Sequence, residues 1–406
     1  MRFHRLSRVA RVAVVAVALL VPGLVPAQSP VADGEAGAVD IPHIAEVPAP
    51  APPVPLLWKV SGERGALYLL GSFHFLQPAD YPLSDDVGHV LDRAGEVVFE
   101  LSPEELESPT LAMQMMQAGL RSDGSRLDDD LPPALAADLA AWGEANLAAQ
   151  PTGGMSAQSL QLFEPWFASL LVTTTELGRY GLQAQLGMDA YLARQAREAG
   201  KPTAGLETAA EQIGFLDGLG RVEQVEMLRE ALDQADGGQA AIEALHGAWR
   251  AGDATQLWNG MALDMRARFP ALYRRINSER NDAWLPKLEQ MLQQDGEILV
   301  VVGTLHLLGE DGVVEKLAAK GYEVERICSA CAPPPVIEIG DGIAPPPDET
   351  VPAPEPPSAV PTDGTPTQPP PTDDDGQDDD EVPAPAVPAP PVAPARADGN
   401  GTPRGR

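Results

Sequence analysis

Two stretches of the chain share one pattern: LYLLGSFHFL at residues 67–76 and LVVVGTLHLL at residues 299–308. Each is an apolar tetrad followed by Gly, a hydroxyl residue, a large apolar residue, His and two more apolar residues. A glycine after a buried strand lets the backbone turn sharply, so His74 and His306 should sit just beyond strand ends. A neutral imidazole offers a lone pair to a metal ion or to a proton near neutral pH. One such histidine is most often a satisfied turn residue. A repeated one asks for a shared role, and the pair should lie within about 8 Å, the span of two imidazoles sharing an ion directly or through water.

Two carboxylates occupy similar places. Glu100 follows the apolar run Val97-Val98-Phe99, and Glu207 ends AGLE. A buried lone carboxylate is costly unless it is paired or metal-bound. Arg280, in SERND, falls in a helical stretch, where it can serve a carboxylate or a substrate oxyanion. The remaining histidines read differently. His4 and His43 lie in terminal segments, His89 falls off the apolar stripe of its helix, and His246 sits beside Leu245 and one turn before Trp249, as a packing residue would. The chain contains no His-Glu-x-x-His, no Gly-x-Ser-x-Gly elbow, no phosphate-binding loop and no Gly-x-Gly-x-x-Gly. The common zincin, serine-hydrolase and nucleotide-binding readings therefore lose their main support.

The elements that must position these residues alternate at the two ends of the central region. Trp58–Val60 and Leu67–Leu70 read as strands around the turn SGERG. Ser84 then stands where a helix cap belongs, ahead of Asp85 and Asp86 and an apolar stripe of Val87, Val90, Leu91 and Ala94. EVVFEL (96–101) reads as a buried strand. Residues 103–200 are mainly helical by pattern, with Asp189 near the start of one amphipathic helix. PTAGLET (202–208) is a short strand, and helices resume to about residue 294. Strand EILVVVG, helix GVVEKLAAKG and strand YEVERI close the region. The expected fold is α/β, with a mixed central sheet from two related halves and a long helical insert.

Neither end of the 406-residue chain reads as globular protein. Residues 1–27 have the basic, apolar and Val-Pro-Ala sections of a secretory signal peptide, with an apolar run too short to span a membrane. Export to the periplasm or beyond is the expectation, with no membrane anchor. Residues 28–55 read as a flexible linker. From residue 332 to 406 the chain is mostly Pro, Ala, Asp and Thr, with too little apolar surface to offset its ordering entropy. It is expected to be a disordered, acidic, Pro-rich tail. Residues 56–331 remain, enough for one large domain. The formal net charge is −31, which argues against nucleic acid as a partner. Two cysteines, Cys328 and Cys331, are close enough for a short disulfide in an oxidising compartment. Three prolines at 333–335 argue against the helix that a redox pair would need.

In this order, LLGSFHFLQP, VVFELS, GLETAAEQ, AWRAGD, ERND and VVGTLHLLGEDGVVEKLAAKGYEVERI resemble the TraB/GumN family over roughly residues 56–328. That family is similar in fold to the ChaN/erythromycin-esterase-like proteins, and its animal members, the Tiki proteins, are described as metal-dependent proteases. The resemblance implies a divalent transition metal (Mn, Co or Zn) held by His74, Glu100 and His306, with Glu207 and Arg280 as supports. Such an ion, with an open position for water, would hydrolyse a peptide or another small substrate. Glu207 or Glu310 could shuttle the proton. Two other classes stay open: haem or iron binding, suggested by ChaN-like relatives, and a non-catalytic envelope scaffold. Removing residues 332–406 should leave the thermal midpoint within a few degrees of the parent, because that segment adds no apolar core; circular dichroism melts of the two chains check this.

Overall fold

The computed structural model describes residues 50–147, 155–237 and 239–331. The signal-peptide reading, most of the linker and the acidic tail fall on residues outside these. Six strands form one sheet: β1 (Leu57–Ser61), β2 (Gly65–Ser72), β3 (Glu96–Leu101), β4 (Thr203–Glu207), β5 (Gly296–Gly303) and β6 (Glu323–Ile327). Their order is β4-β3-β5-β2-β1-β6. β2, β5, β3 and β4 run parallel, while β1 is antiparallel to both β2 and β6. The sheet is mixed, as expected, and the expected halves contribute neighbouring strands to it.

The apolar runs of the central strands are buried on both faces, as parallel strands covered by helices must be. Side chains alternate across the sheet. Tyr68, Leu70, Val97, Phe99, Leu299 and Val301 join the larger core, built with the helical insert. Leu67, Leu69, Val98, Val300 and Val302 join a smaller core beneath the helices Glu279–Leu292 and Val313–Ala319. The same alternation puts Glu100 on the side of Val98, facing the helix that carries Arg280.

Between Pro103 and Glu198, and again between β4 and β5, the elements of the insert among the described residues are helices. Pro165–Arg179 is its most buried helix, with Trp166 and Phe167 fully enclosed. Ser84 does stand at the N-cap of Asp85–Arg93, but its side chain makes no cap bond. Packing against the domain also includes residues that the sequence assigns to the linker. Pro53 and Pro55 are buried, Val54 N donates to Arg250 O at 2.8 Å, and Arg250 Nη2 donates to Ala51 O at 2.7 Å. Composition reads these prolines as linker; backbone pairing to the insert holds them in place. Cys328 and Cys331 form a disulfide just beyond β6. Among the described residues no helix is long and apolar enough to cross a membrane.

Leu69 is wholly buried in β2, two residues before the motif glycine. Leu69→Ala should cost about 2–5 kcal/mol of stability, the usual toll for a leucine-sized cavity in a packed core, read as a lower midpoint in urea unfolding.

Candidate functional site

The repeated motif places its two histidines just beyond the ends of the neighbouring parallel strands β2 and β5. In the β2–β5 register Ser72 stands opposite Gly303. Thr304 Oγ1 donates to Ser72 O at 2.9 Å, tying the two turns together. Glu100 and Glu207 lie at the same, carboxyl, edge of β3 and β4, where Leu101 pairs with Glu207. Four strand ends thus deliver four candidate residues to one edge, the usual ligand-binding edge of an open α/β sheet.

Gly303 marks the meeting point. A Cβ there would stand 2.9 Å from His74 Nε2, 3.2 Å from Glu100 Oε1 and 3.6 Å from His306 Cδ2. Both imidazoles therefore approach one small space, well inside the expected 8 Å separation. The glycine is needed for close approach, not for a turn. Its N–H donates to Glu100 Oε1 at 2.7 Å.

Arg280 is buried at the centre. Its Nη2 donates to Glu100 Oε2 at 2.6 Å and to Glu207 Oε2 at 2.7 Å, and its Nε to Glu207 Oε1 at 2.9 Å. Its Nη1 reaches Ile276 O at 3.3 Å and His306 Nε2 at 3.1 Å. Burial opposes the guanidinium charge, but the two carboxylates outweigh it and its pKa is raised. Glu207 also accepts from Trp284 Nε1 at 2.8 Å and from Gln212 Nε2 at 3.1 Å. Gln212 is placed by local sequence. Thr208 and Glu211 form a capping box that starts the helix Ala209–Asp217 directly after Glu207.

Each histidine has its own orienting partner. His74 Nδ1 lies 2.5 Å from Asp189 Oδ2, which also accepts from Ser72 Oγ at 2.6 Å. His306 Nδ1 lies 2.7 Å from Asn281 Oδ1. Both partners are acceptors, so in its neutral form each ring carries its proton on Nδ1 and turns a lone pair outward on Nε2. In His306 that lone pair meets Arg280; His74 Nε2 is buried and has no protein partner. Burial disfavours the charged form of His74, but the charge and hydrogen bond of Asp189 outweigh it and raise its pKa. For His306 burial, then Arg280, push the pKa down to about 3. Burial would raise Glu100, yet Arg280 and the two imidazoles hold it at about 2.

Of the residues singled out in the sequence, His74, Glu100, Glu207, Arg280 and His306 come together. Glu310 does not: it is exposed and paired with Arg266 at the surface. Both oxygens of Glu207 are engaged, which makes it an anchor for Arg280 rather than a free proton carrier. Among the described residues no group of three or more His, Cys, Asp or Glu stands in metal-holding geometry; Glu100 Oε1 and His306 Nε2 lie 3.9 Å apart, and Arg280 is bonded to both side chains. The donor set nonetheless fits an ion in kind. Both Nδ1–H groups are oriented by acceptors, as second-shell partners orient metal ligands. Glu100 and Glu207 face the one guanidinium, Asp189 faces His74, and His74 Nε2 has no protein partner. Asp189, Asn281 and Gln212 were missed from sequence. Asn281 adjoins Arg280 in ERND, and Gln212 ends GLETAAEQ, but Asp189 gave only the signal of a helix start. His246, read as packing, stacks on Trp249 and also bonds buried Asp80 at 2.9 Å.

A profile of the TraB/PrgY/gumN family matches residues 56–326, and the chain belongs to that family. It is 28% identical over 152 residues to the uncharacterized protein YbaP of Escherichia coli (strain K12), covering 37% of this chain and 55% of YbaP. It thus spans about half the length of that relative. An uncharacterized protein of Treponema pallidum (strain Nichols) is 22% identical over 274 residues, covering 64% of this chain and 79% of the other. No solved structure matches the chain.

Acidification should destabilise the domain through two groups. Glu100, depressed to about 2, contributes stability present above its unfolded value of 4.5 and lost as pH falls towards 2. His306, depressed to about 3, is protonated in the unfolded chain below 6.5 while the folded ring stays neutral, which favours unfolding over that window. His74, raised by Asp189, works in the opposite sense below 6.5, so the test is a comparison: between pH 7 and pH 4 the urea midpoint should change less favourably in the parent than in His306→Gln.

Proposed function

We propose that this chain is an exported hydrolase acting on a peptide or related carbonyl bond at the His74–His306 edge. The observation that carries the reading is the buried, unpartnered Nε2 of His74, held outward by Asp189. A divalent transition ion (Mn, Co or Zn) would be held by His74 Nε2, Glu100 Oε1 and His306 Nε2. It would lower the pKa of a water and polarise the carbonyl under attack. Asp189 and Asn281 keep both rings in the required tautomer. Glu207 and Arg280 fix the carboxylate of Glu100 from behind; an ion on His306 Nε2 would displace the Arg280 Nη1 contact there and leave Arg280 held by Glu100, Glu207 and Ile276 O. The short disulfide agrees with an oxidising compartment outside the cytoplasm.

A second reading has its own support. Arg280 Nη1 stands on His306 Nε2 at 3.1 Å, so His306 is already engaged. His74, with a raised pKa, then serves as a metal-free base. Its Nε2 takes the proton of the attacking water and returns it to the leaving nitrogen as the carbon–nitrogen bond breaks.

Calorimetric titration with Zn²⁺ and Mn²⁺ separates the two. The metal reading expects about one ion per chain, a lower thermal midpoint in chelator, and loss of tight binding in His306→Ala but not in His89→Ala. Peptide-library hydrolysis that survives chelator but vanishes in His74→Ala selects the metal-free base. Absence of turnover on peptide, ester and glycan libraries with and without metal would remove the hydrolase assignment.

A further inference from the structure

Beside the two histidines lies a pocket walled by Phe73, Leu257, Met261, Ile276 and Leu305, into which Asn277 also faces. Asn277 is fully buried and its Oδ1 has no protein partner. Which end of its amide is left over is fixed by the neighbours. Burial, then Asp311, raise the pKa of Tyr273, so its phenol keeps its proton. That proton goes to Asp311 Oδ2 at 3.2 Å, since a carboxylate can only accept. The phenol oxygen can then only accept from Asn277, whose Nδ2 lies 3.1 Å away. The carbonyl end is the one without a partner. Asn277 belongs to the π-helical turn Arg274–Ser278, and Met261 to a second one, Trp258–Leu263. Such widened turns are frequent at functional sites, where they re-aim side chains.

A buried acceptor beside an otherwise apolar wall is costly unless a donor meets it. We propose that Asn277 Oδ1 receives an N–H of the substrate, so that the pocket selects amides over the corresponding esters. This rests on the hydrolase reading for the identity of the ligand as a substrate, and holds whether or not an ion assists. Asn277 is then a specificity residue: an N–H satisfies its oxygen, whereas an ester oxygen in the same place sets one acceptor against another. Sites built to pair a donor reject the analogue lacking it far more strongly than apolar pockets reject a change of size.

The probes are acetyl-trialanine amide and its depsipeptide analogues, in which each internal N–H in turn is replaced by oxygen. Their binding to the full mature chain is followed by shifts in amide NMR spectra. One replacement should weaken binding about tenfold or more in the parent. In Asn277→Leu that penalty should fall to about onefold, because neither probe then meets an acceptor. Tyr273→Phe leaves core volume almost unchanged and keeps the test open if Asn277→Leu fails to fold. It frees the amide to turn over, and the penalty should drop to about threefold. Parent protein that binds no amide probe, or binds amide and depsipeptides alike, overturns the proposal. So does a penalty unaltered in Asn277→Leu, or in Tyr273→Phe where the leucine variant does not fold. Discrimination without any turnover supports the role of Asn277 and counts against the hydrolase reading alone.

Discussion

The buried guanidinium of Arg280 is what the candidate site depends on. Two carboxylates from different strands converge on it, and burying them together without a cation would be costly. The pairing also has directional content. Five donors in a fixed fork dictate where Glu100, Glu207, Ile276 O and His306 must stand. A lysine would carry the same charge without imposing that geometry. Around the fork, Trp284 packs against both Arg280 and the ring of His306, so the polar cluster is sealed by an aromatic face rather than by water.

The two histidines are similar in sequence and opposite in electrical surroundings. His74 faces a carboxylate and is drawn towards the charged form; His306 faces the guanidinium and is driven from it. A duplicated motif has thus been given unequal electrical settings by residues outside the motif. Pairs of titratable groups pushed apart by their environment are a common arrangement where protons or ions are handled.

Much of this was legible in the chain. The strand ends, the glycine before each histidine, and the placement of Glu100 and Glu207 follow from local pattern, and so does the mixed sheet. Other parts were not, for a physical reason. Asp189 reads as an ordinary acidic residue at a helix start, and only folding carries it to a histidine 115 positions away. Likewise Arg280 has the pattern of a solvated helix residue until the sheet edge is placed over it. Glu310 erred the other way: it lies four residues from His306 in sequence, yet the chain turns at Gly309 with a positive φ of 72°, and Glu310 ends at the surface. Composition misjudged the prolines at 53 and 55, because their backbone neighbours come from a helix nearly 200 residues on.

The order of strands has a bearing on how the chain matures as it is made. β2 lies between β1 and β5, and β1 finds its second neighbour only in β6. A nascent chain leaving the ribosome amino end first can pair β2 with β1 early, but the other edge of β2 waits for β5, more than 220 residues further on. Pairing so distant in sequence is slow and leaves unpaired edges open to misassociation. The inner edge of β2 is thus closed only when nearly all of the domain has been made.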